Sequence, residues 1–310
     1  METGKVVVEK IGGKSTVIRC FSKYPLKIII PNKVGSSQTD AVWIYTITYG
    51  GGIVSGDSIS CYISVGESCT AVLTTQSSTK VYKSVGSKCS EQILEVALIA
   101  LLERVVKLAQ QATVGRDALL VIIPDPVTCF STAKYSQMQI FKVFHESSLL
   151  IVDWITSGRH ERGEKWDFSL YKSTNRIFLE GNEPLFLDTI LLEEGSQGSI
   201  SERLQDYQVI AMIVLWGPKL KLIQNQIQED VKKMMSEQFR IPSINSGHFA
   251  KAHSDHCLSK PNFIASCSVF GPKGIGVVVR IASMTTESVY KFLQHQLASM
   301  EPVLGVSPYF

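Results

Sequence analysis

Short segments in which apolar and polar residues alternate dominate the first third of the chain, and they constrain its fold most. From Ser58 the alternation is strict: Ile59, Cys61, Ile63 and Val65 point one way and the intervening residues point the other way. This period of two is typical of a half-buried β-strand. Further short runs rich in β-branched and aromatic residues occupy 26–30, 42–49, 69–75, 80–82, 119–123, 136–144, 149–156 and 175–179. Short strands at close intervals favour a stacked or rolled all-β body.

Three segments follow helical spacing instead. Apolar residues recur every three or four positions over 93–111, which predicts an amphipathic helix that ends near Gly115. A second helix is predicted from Pro218 and a third from about Thr285. In contrast, the continuous apolar run 209–216 predicts a strand that is buried on both faces.

The chain shows no linker and no strong internal repeat. Its 310 residues would accommodate about two domains by length alone. Without a composition break between halves, we predict one domain over residues 1–310. The polar, irregular stretch 242–261 is predicted to be a surface loop.

Composition excludes several function classes. Hydrophobic residues make up 45% and charged residues 19%, which excludes a disordered chain. The formal net charge of +3 is too small for a nucleic-acid-binding surface. The longest uninterrupted apolar run, 96–102, is far shorter than the ~20 residues that span a bilayer. We therefore expect neither nucleic acid nor membrane as a partner.

Cysteine usage and the first residues favour a cytoplasmic protein. The seven cysteines are scattered without a CxxC pair, which fits reduced thiols better than a disulfide framework. Residues 1–6 carry charge around a very short apolar run, so a secretory signal is not expected.

The glycine-rich segment 51–58 has the spacing of a phosphate-binding loop but not its chemistry. Asp57 stands where such a loop requires lysine, and a carboxylate there would repel phosphates. The segment also leads into a predicted strand, so it offers no helix N-terminus to a nucleotide. Two interpretations stay open: a tight glycine turn between strands, or a turn that directs Asp57 toward a cation.

Two other clusters invite a chemical interpretation. His248, His253, His256 and Cys257 fall within ten residues, but their spacing matches no closed metal site, so a solvated loop is the default interpretation. Cys129 lies in an apolar neighbourhood, which would raise its pKa and favours an inert buried thiol over a nucleophile.

The densest polar cluster of the chain spans 153–166. We expect one strand to end at Asp153 and Trp154, a charged glycine-flanked turn to follow, and another strand to begin at Trp166. A solvated hairpin tip explains this pattern. Two tryptophans and two arginines around a turn are also typical of interface anchors.

Taken in order along the chain, these blocks resemble the UreD (also called UreH) family of urease accessory proteins, in particular its plant branch. The resembling blocks are 49–57, 74–82, 124–130, 135–137, 153–159 and 163–166. The motif residues that we assign to turns and strand ends within them are Gly51, Gly52, Gly56, Thr75, Lys80, Tyr82, Pro124 and Pro126. The chain departs from the family by about twenty residues, 96–116, which we predict to be a helical insertion.

The resemblance implies a mainly β fold, a rolled or helical stack of short strands (β-solenoid-like) with two or three peripheral α-helices. It also implies a non-enzymatic function in urease maturation. UreD-like proteins bind apo-urease and assemble with UreF and the GTPase UreG, which delivers nickel. We therefore expect no tightly bound cofactor, only transient passage of nickel.

Carboxylates are the residues that we expect to line a nickel route, because they bind the divalent ion weakly enough to release it. The candidates are Asp57, Asp153 and Glu164, with Asp188 as a fourth. Arg159 and Trp166 are predicted to contact partner proteins.

Two other function classes stay open. One is a non-catalytic β-type module that binds a peptide or carbohydrate. The other is a hydrolase that uses Cys129 or Ser157 with a distant histidine, although the chain has no G-x-S-x-G motif.

Overall fold

A computed structural model describes residues 2–32, 39–85, 89–95, 112–180, 182–195, 198–238 and 260–309. Strands within these ranges are β1 (Gly4–Ile11), β2 (Lys14–Ser22), β3 (Leu26–Ile29), β4 (Val42–Thr48), β5 (Ser58–Val65), β6 (Thr70–Thr75), β7 (Thr79–Val81), β8 (Ser90–Glu95), β9 (Ala112–Val114), β10 (Leu119–Ile122), β11 (Val127–Cys129), β12 (Lys134–Val143), β13 (Ser148–Thr156), β14 (Leu170–Leu179), β15 (Glu183–Glu193), β16 (Val209–Trp216), β17 (Phe263–Phe270) and β18 (Gly276–Ser283). The α-helices are α1 (Ile200–Leu204), α2 (Lys221–Gln238), α3 (Thr286–Leu297) and α4 (Glu301–Leu304).

The strands form two sheets. The outer sheet has the order β15-β14-β12-β8-β5-β1-β2, with β9 beside β5 and β12. The central sheet has the order β17-β18-β16-β13-β10-β6-β4-β3, with β7 and β11 attached. Between β4 and β14 the chain passes back and forth between the sheets, and neighbouring strands within each sheet are parallel, as in β5 with β8 and β6 with β10. The chain therefore winds in coils, which confirms the predicted solenoid-like stack of short strands.

Two apolar cores hold these layers together. The first lies between the sheets and contains the inward face of β5, with Ile59, Cys61, Ile63 and Val65 all buried as their alternation predicts. The second lies between the central sheet and the long helices. The central sheet is thus apolar on both faces, which explains why β16 is an uninterrupted apolar run.

Both long helices begin where the sequence predicts. Pro218 starts a 3₁₀ turn that leads into α2, and the Thr285 side chain caps α3 by accepting from the backbone N–H of Ser288. Apolar residues at helical spacing, such as Ile227 and Leu293, face the central sheet. The described helices include none that combines the length and apolar character needed to cross a bilayer.

The helix predicted over 93–111 is wrong at its first residues, the part of that range that the structure describes. Residues 93–95 belong to β8, and residues 112–114, which the predicted insertion 96–116 includes, form β9. Glu95 pairs with Tyr62 of β5, and Ala112 pairs with the next residue, Ile63. Strands β8 and β9 therefore occupy consecutive positions of one strand. The predicted insertion would fall between these two strands, at 96–111, and those residues lie outside the described ones.

Local patterns also misplaced some strand ends and missed edge strands. Asp153 and Trp154 do not end a strand, since β13 continues to Thr156, and the next strand begins at Leu170 rather than at Trp166. Strands β2, β15 and β17 were not predicted, because edge strands are only partly buried and alternate weakly. The predicted loop 242–261 lies outside the described residues except for Lys260 and Pro261, which are exposed.

Candidate functional site

A group of polar side chains interrupts the apolar core between the sheets. Asp153 points inward from β13 and is 3% exposed. Its Oδ2 accepts hydrogen bonds from Ser173 Oγ (2.5 Å) and Asn175 Nδ2 (2.7 Å) on β14. Its Oδ1 accepts from Gln137 Nε2 on β12 at 3.2 Å. Three successive strands, β12, β13 and β14, thus hold one buried carboxyl group.

The surroundings of Asp153 favour its neutral form. Burial raises the pKa of this carboxyl, while the hydrogen bonds from Ser173, Asn175 and Gln137 oppose the rise. All three donors are neutral, so none of them balances a negative charge. A cation would supply that balance, because a buried charge needs an opposite charge or a proton.

Asp188 lies next to this group. It is on β15, in register with Asn175, and its negative charge further raises the pKa of Asp153. One of its oxygens, Oδ1, accepts from Arg280 Nη2 at 2.7 Å. In the described part of the chain, neither Asp188 Oδ2 nor Asn175 Oδ1 has a hydrogen-bond partner, although both atoms are buried. Two oxygen atoms near Asp153 are therefore available to a ligand or to water.

A cavity leads from Asp153 toward the surface. Asp153, Gln137, Gln92, Thr75 and Thr79 line it together with apolar side chains of both sheets. The last three residues also line a second, polar hollow that is bounded by residues 76–78. Residues 76 and 77 are exposed, so the second hollow reaches the surface, and its shared side chains Thr75, Thr79 and Gln92 lie between that surface and the cavity of Asp153.

The glycine turn is built by its own motif residues. Asp57 Oδ2 accepts from the Val54 N–H at 3.1 Å, and the Asp57 N–H donates to Val54 O at 3.0 Å. At Gly52 a Cβ atom would lie 2.6 Å from both the Lys80 carbonyl oxygen and the Tyr82 ring. Turn geometry therefore accounts for the motif, with Gly51 and Gly56 at positive φ. Asp57 is absent from the described lining of the cavity.

Glu164 forms an ion pair outside the cavity. Its Oε2 accepts from Arg159 Nε at 2.9 Å and its Oε1 contacts Arg159 Nη2. The hydrogen bond from Arg159 is the main reason that the pKa of Glu164 lies below its ordinary value. The Arg159 guanidinium also stacks over Phe130 at 4.0 Å. Glu164 thus stabilises the turn, and Arg159 stays partly exposed.

Trp166 belongs to the core, so the prediction that it contacts a partner is wrong for its side chain. The residue is 3% exposed, and its indole N–H donates to the Tyr207 carbonyl oxygen at 2.9 Å. The sequence misled because a tryptophan beside a charged turn is typical of an interface as well as of a core.

Sequence reasoning missed several polar residues of this site. Gln137 and Asn175 stand at inward positions of alternating strands, and that placement is the signal that could have found them. Asp125 also lines the cavity and accepts from the Tyr290 hydroxyl at 2.8 Å. It stands in a resembling block, but no pattern in the sequence assigns it a function.

The candidate site around Asp153 is not a cluster of the side chains that usually bind metals. The described ranges contain no group of three His, Cys, Asp or Glu side chains placed to hold a metal ion. His248, His253, His256 and Cys257 lie outside those ranges. The site is instead a set of carboxyl, amide and hydroxyl groups, which suits weak binding of a divalent cation.

Comparison with known proteins decides the family. The family model described as UreD urease accessory protein matches residues 2–309. The chain belongs to the UreD urease accessory protein family. Urease accessory protein D of Arabidopsis thaliana is 62% identical over 309 residues, which cover 100% of both chains. Urease accessory protein D of Oryza sativa subsp. indica is 55% identical over 307 residues, 99% of this chain and 95% of the relative. The chain is therefore a plant-type UreD protein.

Bacterial relatives extend the match. Urease accessory protein UreD of Anaeromyxobacter sp. is 29% identical over 306 residues, 99% of this chain and 88% of the relative. Membership of the UreD family supports a role in urease maturation, as a chaperone and not as an enzyme.

Ser157 and Cys129, the two candidate nucleophiles of a hydrolase, are both buried, which agrees with membership of the UreD family. Ser157 Oγ lies 2.9 Å from His160 Nε2, so its histidine is close in sequence rather than distant, but the serine is fully buried. Cys129 is also buried, and burial raises the pKa of its thiol. Neither group is placed to meet a substrate as an activated nucleophile.

Proposed function

We propose that this UreD-family protein is a scaffold and nickel conduit in urease maturation. It binds apo-urease, assembles with UreF and the GTPase UreG in the cytoplasm, and passes nickel through the cavity between its sheets. The single observation that carries the proposal is Asp153, a buried carboxyl with neutral partners in a cavity between the sheets.

The donor set suits transport better than storage. Carboxylate and amide oxygens bind a divalent nickel ion more weakly than thiolates or imidazoles do, so the ion can leave again. Cys61 also lines the cavity, but burial raises its pKa to about 12 and keeps it a thiol. The cavity therefore holds no thiolate that would trap the ion at neutral pH.

A cation near Asp153 would oppose the effect of burial on its carboxyl group. Burial raises the pKa of Asp153, and a divalent ion nearby would lower it again. The unpartnered oxygens of Asn175 and Asp188 lie on the same side of the core and would complete an all-oxygen environment. Of the four carboxylates predicted to line the nickel route, we therefore keep two, Asp153 and Asp188. The other two, Asp57 and Glu164, stabilise turns.

Substitution of Asp153 tests the route. Asp153→Asn keeps the size of the side chain and removes its charge, and we expect nickel per urease to fall about tenfold after co-expression with urease, UreF and UreG. The exposed Asp206→Asn is the matched control, and Asp57→Asn should retain nickel delivery wherever it folds. Wild-type nickel content in folded Asp153→Asn would disprove the conduit.

The scaffold function is tested by partner binding. If Asp153→Asn still captures urease and UreF in a pulldown while nickel delivery fails, scaffold and conduit are separate properties. Arg159, which is partly exposed, is our candidate for partner contact. Arg159→Ala should weaken capture of UreF or urease, with Arg19→Ala, at an exposed position of β2, as a control for loss of an arginine. Unchanged capture by Arg159→Ala would exclude that contact.

A further inference from the structure

The segment that follows α4 ends against the wall of the cavity. Residues 305–309 pass from α4 to Pro124, where the Tyr309 hydroxyl donates to the carbonyl oxygen at 3.0 Å. Gln294 of α3 holds the other end of the same residue by donating to the Tyr309 carbonyl oxygen. Tyr309 is thus fixed at both ends by side-chain hydrogen bonds.

Two further aromatic residues complete this contact. Tyr290 of α3 donates its hydroxyl to Asp125 Oδ1 at 2.8 Å. Trp154 Nε1 donates to Pro124 O at 2.9 Å, the same oxygen that Tyr309 reaches. The Trp154 ring lies 4.8 Å from Tyr290 and 6.1 Å from Tyr309, edge to face in both cases. The two tyrosines therefore cover one continuous surface.

That surface is the other side of the cavity wall. Pro124, Asp125 and Trp154 all line the cavity that contains Asp153. The tyrosines contact the same three residues but are absent from its described lining. They therefore pack against the wall from the helix side, where both tyrosines belong to the second core.

The cover differs from the wall in how it is held. The wall residues follow β10 and belong to β13, both within the parallel ladder of the central sheet. Residues 305–309 belong to no strand or helix among the described elements. Segments that are held by a few side-chain contacts open at lower free energy than paired strands.

We propose that residues 305–309, together with Tyr290, form a releasable cover over a second opening of the cavity, and that Asp125 is the carboxylate exposed to a divalent cation when the cover moves. The inference rests on the proposed function, because it assigns the cavity two ends. It gives Asp125 a role at the rim, where Tyr290 occupies one of its oxygens while the cover is in place.

Native cysteines report the opening without any nickel. Cys61 and Cys129 are both buried with raised thiol pKa values, but only Cys61 lines the cavity. We expect methyl methanethiosulfonate to label Cys61 about tenfold faster in Tyr309→Ala than in wild type, with Cys129 unchanged. Peptide mass spectrometry measures both rates in the full-length protein.

Two variants isolate the cause. Tyr309→Phe removes only the hydrogen bond to Pro124 and should give a smaller increase in Cys61 labelling. Val303→Ala, at a residue of α4 that is 45% exposed, is the matched control and should label as wild type. Equal acceleration at Cys61 and Cys129 would indicate general destabilisation and would overturn the proposal, as would unchanged labelling of Cys61.

The failure of this inference is distinguishable from failure of the conduit. The labelling assay contains no nickel, and the Asp153→Asn assay contains no thiol reagent. If the cover exists and the conduit is real, Asp125→Asn should also lower nickel per urease while its pulldown of urease stays normal. Normal nickel delivery by folded Asp125→Asn would exclude the assigned role of Asp125.

Discussion

At the scale of single residues, Asp153 shows how a functional group can oppose stability. Most polar residues of the chain can face water, but this carboxyl is enclosed by Ser173, Asn175 and Gln137. Burying a carboxylate without a cation costs free energy, and the raised pKa is the expression of that cost. The proposed nickel route would account for its retention within the core.

Stability should consequently depend on pH through Asp153. Because its pKa is higher in the folded than in the unfolded state, its contribution to the free energy of unfolding is present at low pH and is lost as the pH rises through the folded-state pKa. Asparagine does not titrate, so the stability of Asp153→Asn relative to wild type should increase from pH 4 to pH 8. Urea unfolding at several pH values measures this, with Asp206→Asn as the reference. A flat difference would contradict the raised pKa.

The glycine motif should be sensitive at one position. A Cβ atom at Gly52 would lie 2.6 Å from the Lys80 carbonyl oxygen, whereas at the exposed Gly195 it would meet nothing within 4 Å. We expect Gly52→Ala to lower the free energy of unfolding by about 2 kcal/mol and Gly195→Ala to change it by less than about 0.5 kcal/mol. Equal effects of the two substitutions in thermal or urea unfolding would show that contact between a Cβ atom at position 52 and the Lys80 carbonyl oxygen does not destabilise the fold.

At the scale of elements, the sequence patterns predicted the features that depend on residues close together in the chain. The alternation of β5, the apolar run of β16 and the starts of α2 and α3 are local signals, and the structure confirms them. The continuity of β8 and β9 depends instead on pairing with β5 and β12, which no local pattern contains. The candidate site divides similarly. Sequence reasoning named Asp153 and Asp188 as candidate carboxylates. It did not name Asn175 or Asp125, because their places in the site depend on which strands lie next to each other.

The continuous register makes a deletion informative. Removing 96–111 joins Glu95 to Ala112, which already hold consecutive positions opposite β5. We expect this variant to fold with wild-type stability and to support urease activation. Removing 96–112 instead shifts the strand by one residue and should turn the buried Val114 toward the opposite face, at a cost of at least about 2 kcal/mol. Similar stability of both deletions in thermal unfolding would refute the shared strand.

At the scale of the whole molecule, the central sheet joins the two cores. One face packs against the outer sheet and the other against α2 and α3. If the central sheet unfolds, each core loses one of the two layers that enclose it. The prediction of a single domain therefore has a physical basis, and it stays a prediction until cooperativity is measured.

A pair of core substitutions provides that measurement. Ile63→Ala removes buried apolar volume from the first core and Leu293→Ala from the second. Each should lower stability by about 2–5 kcal/mol. We expect one calorimetric transition in both variants, shifted as a whole to lower temperature. Two separate transitions, with each substitution moving only one of them, would show that the chain contains two independent units.

The shared strand also makes residues 96–111 a practical entry point for labelling. Because Glu95 and Ala112 occupy neighbouring positions opposite β5, the chain leaves and re-enters the sheet at almost the same place. A fluorescent protein or affinity tag with closely spaced ends could replace these residues through two short linkers. Such a fusion would let the protein be followed during urease maturation in living cells, while Tyr309 keeps its hydrogen bond to Pro124.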